Sequence, residues 1–154
     1  MIQGLFERLL QGHRDAVALC TAVFEWANDY DHCVDGDAHT GARAPEAVLH
    51  DAMWTLAVTL PQNAFFRAHQ AELTVTMANA ISTWRASTVL QQVPGEHAST
   101  LAHVMRWVPI EFFMHCARIV GGRAWADEQG PAFWLLMTQD HSRAEFVAET
   151  KGES

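Results

Sequence analysis

The chain has 154 residues, long enough for one real hydrophobic core, and 49% of them are apolar, with six Trp and eight Phe, which excludes a disordered chain. Its 18 acids against 10 bases leave a formal charge of −8. That balance argues against phosphate-backbone binding, which needs a clustered basic face, so no nucleic-acid partner is expected.

Chain order gives a run of helical segments. Ile2, Leu5, Phe6, Leu9 and Leu10 suggest a short helix over 2–11. Residues about 13–35 repeat Ala16, Leu19, Cys20, Val23, Ala27, Tyr30 and Val34 at helical spacing, predicting an amphipathic helix with these residues inward. A polar, Gly-containing loop follows from Gly36 to Ala44. Pro45 suits the first position of a second helix running to about Leu60, with Leu49, Met53, Leu56 and Leu60 inward and Pro61 as its stop.

The third helix is predicted over roughly 63–92, with Phe66, Leu73, Met77, Ala80 and Trp84 on one stripe. Val93-Pro94-Gly95 reads as a turn. A fourth segment over about 97–120 is interrupted by Pro109, where a kink or break is expected, and Gly121-Gly122 ends it. A last helix is expected over about 131–149, opening at Gly130-Pro131 with Phe133, Leu136, Met137, Ala144 and Val147 inward. No segment shows strand-like alternation. The fold class is all-α, a single-domain bundle of five or six helices over residues 1–150 with a polar tail at 151–154.

Cys20, Cys33 and Cys116 have no ligand-like spacing and read as free thiols in a reducing compartment. The amino terminus lacks the apolar core of a signal peptide, and no uncharged apolar run approaches a membrane span of about 20 residues. A cytoplasmic protein with no membrane partner is expected. The aromatic content would also allow a homodimer interface.

The densest chemical signal is Asp31-His-Cys-Val-Asp35-Gly36-Asp37. Asp31 and Asp35 stand one helical turn apart, Gly36 can end the helix, and Asp37 can fold back toward the pair. Clustered carboxylates of this kind suit a hard cation such as Mg²⁺, which can in turn hold a phosphate or diphosphate ligand. Glu46, His50, Glu111 and His115 fall in or beside the apolar stripes of their helices and are candidates for supporting or acid/base roles. The alternative for such residues is capping, hydrogen bonding or ion pairing. Glu46/His50 and Glu111/His115 are each four apart, whereas dinuclear iron helices use Glu-x-x-His at three. There is no Gly-x-Ser-x-Gly elbow, P-loop or dinucleotide fingerprint.

Two resemblances follow from these residues. Asp31-x-x-x-Asp35-Gly36 resembles the first aspartate motif of squalene and phytoene synthases, which implies Mg²⁺ ligation by Asp31 and Asp35; the second acidic motif of that family is missing, since Asn79-Ala-Ile-Ser82 stands nearest its place. Three stretches together are similar to small helical proteins of tailed phages and prophages. They are Trp26-Ala-Asn-Asp29-Tyr-Asp31-His-Cys-Val-Asp35-Gly-Asp37, Leu60-Pro-Gln-Asn63-Ala-Phe-Phe66-Arg67 and His115-Cys-Ala-Arg-Ile-Val-Gly-Gly122. That likeness implies a phage origin, placing the protein in the host cytoplasm, and an all-helical fold without fixing an activity. Two function classes remain: a cation-dependent phosphate binder, and a non-enzymatic acidic module that binds a protein in phage assembly or host takeover.

Overall fold

The computed structural model describes residues 2–35 and 44–139, with the backbone alone for 32–35. The protein is all-α, and no strand occurs among the described residues. The chain divides into two compact units, Met1–Gln70 and Ala71–Ser154.

In the first unit α1 (Ile2–Leu9) and α2 (Arg14–Asp35) are joined by a tight turn. Gln11 and Gly12 both take positive φ, 51° and 70°, and two reversed bonds close the end of α1: Gly12 N–H to Glu7 C=O at 2.8 Å, and Gln11 N–H to Arg8 C=O at 3.2 Å. This is a Schellman ending, with the unusual feature that a non-glycine residue takes the first left-handed position. Phe6, Leu9 and Leu10 are buried, as are Ala16, Leu19, Cys20 and Val23 of α2. The helix is the hub of the unit, packing on α1, on α3 (Pro45–Trp54) and on α5 (Ala64–Ala68). Tyr30, expected inward, is instead 44% exposed and stacks on Trp26.

After α3 the backbone does not remain α-helical. Thr55–Thr59 form a π-helical turn, in which Leu60 N–H bonds to Thr55 C=O, five residues back. The short α4 (Leu60–Gln62) carries on through Pro61, and the chain turns at Asn63. Pro61 therefore sits just inside the end of the helix rather than stopping it.

This π turn overturns part of the predicted core. In a straight helix Leu49, Met53, Leu56 and Leu60 share one face. A five-residue π turn advances less per residue, so it sets the register back by roughly 90°. Leu60 consequently swings to the side of Val48, and these two are buried. Leu49, Met53 and Leu56 are left outside, 60%, 60% and 55% exposed.

The second unit holds most of α6 (Gln70–Leu90), then α7 (Glu96–Arg106) and α8 (Pro109–Thr138). The helix predicted over 63–92 is broken at His69, which caps α5 with φ −120° and ψ 18°. In α6 the buried positions are Leu73, Ala80 and Ser87, seven apart, a seam at coiled-coil spacing. Ser87 Oγ donates to the Ala102 carbonyl at 3.0 Å, so α6 and α7 approach closely where both carry small residues. Pro109 produces the expected break: α7 ends at Arg106 and Pro109 opens the next helix.

Gly122 divides α8. Its φ of 81° and ψ of 174° are non-helical and lie in a region essentially reserved for glycine. The rings of Phe113 and Phe133 are 6.3 Å apart, whereas twenty residues of straight helix would separate them by about 30 Å. The two halves, 109–121 and 123–138, thus fold back as a hairpin. The last helix begins directly after Gly122, not at Gly130-Pro131, and Pro131 lies within it. Phe133 is buried as expected, while Leu136 is 43% exposed. Ala144, Val147 and the tail 151–154 lie outside the described residues. No described helix is long and apolar enough to cross a membrane.

Candidate functional site

Of the acidic cluster, Asp31 is within the described residues: it lies in the last turns of α2, half-buried, with Oδ1 withdrawn from solvent. The Asp35 side chain and all of Asp37 lie outside them. Glu46 and His50 sit on α3 and are both exposed, and Glu111 is exposed on the first turn of α8. Among the described residues no group of three His, Cys, Asp or Glu side chains comes together as a metal site. Cys20 and Cys116 are buried free thiols.

His115 is a predicted polar residue whose partners are on the neighbouring helix. Its ring is one quarter exposed and joins α8 to α6 at two points. Nδ1 lies 2.7 Å from Thr76 Oγ1, and Nε2 lies 3.1 Å from Glu72 Oε2. A carboxylate at Glu72 can only accept, so Nε2 is the donor in that contact, and Nδ1 pairs with the Thr76 hydroxyl. Thr76 Oγ1 is also 3.1 Å from the Glu72 carbonyl, a second acceptor for its one hydrogen. Glu72 and Thr76 carry no motif of their own; their four-residue spacing on one helix face was the available signal.

A hydroxyl, an imidazole and a carboxylate in sequence have the order of a nucleophile, base and orienting acid. Acyl transfer would further need donors aimed at a developing oxyanion. Thr76 lies in mid-helix, where its own and neighbouring N–H groups are used by the helix. The arrangement is a tie between α6 and α8.

The stretch Leu60–Arg67 also has a structural explanation. Asn63 Oδ1 accepts from Phe66 N–H at 2.8 Å, capping α5, while its Nδ2 donates to the Asp15 carbonyl of α2 at 2.8 Å. Phe65 and Phe66 are buried. Arg67 Nη1 donates to the Pro61 and Gln62 carbonyls, closing the orphaned end of α4. Asn63 and Arg67 thus each hold a turn in place.

What the helical periodicity missed is a surface. Leu49, Met53 and Leu56 form a stripe at i, i+4 and i+7 on α3 and the π turn, and Trp54 extends it round the helix. Trp54 is 65% exposed, while the other five Trp are half-buried. Glu46 stands one turn before Leu49, and Asp51 one turn before Trp54; both are exposed. An open groove lies between α1 and α2, lined by residues such as Glu7, Arg14, Thr21 and Glu25. Set against known proteins, the chain matches no family model, no curated protein and no solved structure.

Proposed function

We propose that the protein is a non-enzymatic helical module that binds another protein through the α3 face built on Leu49, Met53, Trp54 and Leu56. The observation that carries this reading is the exposure of four large apolar side chains within eight residues. Singly exposed apolar residues are ordinary, but several within two turns of one helix, beside exposed carboxylates, support an interaction surface. The π turn that sets this face outward adds support, because such turns concentrate at functional positions. The resemblance to phage proteins supplies the setting, in assembly or host takeover. Selecting binders from a random helical peptide library tests the reading without presuming their charge. Selected peptides should lose binding to Leu49→Glu and Met53→Glu, and selected binders indifferent to both substitutions would place the contact elsewhere.

A divalent-cation site at Asp31, Asp35 and Asp37, holding a phosphate or diphosphate ligand, is the second reading. It is supported by the spacing of the acids and by the place of Asp31 and Asp35 in the last turns of α2. A helix C-terminus carries partial negative charge, so carboxylates there are doubly disfavoured and a bound cation such as Mg²⁺ would relieve both. Its test is metal-dependent stability, worked out below.

A further inference from the structure

The identity of the occupant of the α3 face follows from its charge, and it rests on the protein-binding reading above. We propose that the occupant is a basic amphipathic α-helix of a partner protein, with apolar anchors on one face and Lys or Arg beside them.

Shape comes first. Leu49, Met53 and Leu56 rise along two turns of one helix, about 10 Å at 1.5 Å per residue. A ridge of that length matches the i, i+3, i+4, i+7 anchors of a second helix laid along it. The unbranched thioether of Met53 can adapt to different anchors.

Charge selects among helices. Between residues 15 and 66 the sequence holds eight acids, and Arg43 is its single base. Glu46 lies exposed beside Leu49 and Met53, Asp51 lies exposed one turn before Trp54 on the edge of the face away from Leu49, and the last turn of α3 carries no base. Lys or Arg on the incoming helix would meet these carboxylates, and a cation beside Trp54 can also use the face of its ring. A second copy of this chain would bring carboxylate against carboxylate, and an anionic lipid surface would repel the same flank.

The probe is a dye-labelled Leu/Lys peptide of about 18 residues, long enough to fold on binding, with a Leu/Glu peptide of identical Leu pattern as its partner in the comparison. Anisotropy is read at about 0.05 M and about 0.5 M salt, where screening differs severalfold. The Leu/Lys peptide should bind, weaken by about tenfold or more against Leu49→Ala/Met53→Ala, and lose affinity in high salt. Glu46→Gln/Asp51→Asn should remove most of the salt dependence while leaving the apolar contribution. All four positions are exposed, and circular dichroism with the melting temperature confirms that the variants fold. Equal binding of the Leu/Glu peptide overturns the basic partner and leaves the apolar face standing. Self-association in sedimentation that Met53→Ala abolishes, or Met53-dependent binding to phosphatidylglycerol vesicles, overturns it in favour of that occupant. If neither peptide binds and the library selection also yields no stripe-dependent binder, the docking face itself is refuted.

Discussion

Leu56 and Leu60 provide the sharpest check on the structure, because they are the same residue type one apparent helical turn apart. A straight helix makes them equivalent core positions. The π turn makes them opposites: Leu60 is 4% exposed and Leu56 55%. Leu60→Ala removes three buried carbons and leaves a cavity, which costs about 2–5 kcal/mol. Leu56→Ala trims a side chain that already meets water, with an expected cost of about 0.5 kcal/mol. For a chain of this length each kcal/mol moves the midpoint by about 2–4 °C, so Leu60→Ala should melt roughly 5–15 °C below Leu56→Ala. Thermal unfolding followed by circular dichroism, with urea titration to confirm the free-energy difference, is sufficient. Comparable losses for the two variants would refute the register shift, and with it the outward placement of the Leu49–Met53–Leu56 stripe.

Glycine substitutions should separate by backbone conformation alone. An added Cβ meets nothing within 4 Å at either Gly4 or Gly122, yet only Gly122 has positive φ. Gly122→Ala should cost about 1–3 kcal/mol, and Gly4→Ala should be neutral or stabilising by up to about 1 kcal/mol, both read from melting curves. For the His115 tie, Thr76→Val and His115→Ala should each lose about 1 kcal/mol, discounted because Glu72 is half exposed. A double-mutant cycle should show coupling between them, and strict additivity would mean that the 2.7 Å contact does not form. If Mg²⁺ binds at Asp31, Asp35 and Asp37, a concentration near 100 times its dissociation constant should stabilise the protein by about 2.7 kcal/mol relative to EDTA. Asp31→Asn with Asp35→Asn should abolish that shift; no shift in the wild type, or one that survives both substitutions, disposes of the cation.

The helices were legible because this chain punctuates itself clearly. Pro45 and Pro109 open helices in the structure, and the Gly121-Gly122 pair marks a real ending. Gly130-Pro131 carries the same punctuation without ending a helix, because the hairpin has already turned at Gly122 and Pro131 lies inside its second half. The π turn left no mark at all: Thr55-Leu-Ala-Val-Thr59 has no glycine, proline or capping pattern, yet it re-aims every side chain beyond it. Of the site residues, His115 was recognisable from its place on an apolar stripe, but its partners on α6 lie 39 and 43 residues away and depend on tertiary packing.

The polar and apolar residues of this chain diverge from periodicity in opposite directions, and the two divergences carry different information. Asn63, Ser87 and His115 are polar groups drawn inward, and each is explained by a bond to another helix. Satisfied internal polar groups of this kind hold a fold together and need no ligand. Leu49, Met53 and Leu56 are apolar groups turned outward, and nothing within their own helix compensates their contact with water. A folded chain gains nothing internally by leaving four large side chains solvated on one helix, whereas a partner that covers them recovers the burial. The same residues that would have made an ordinary core in a regular helix become, through one five-residue turn, the face on which the protein-binding proposal rests.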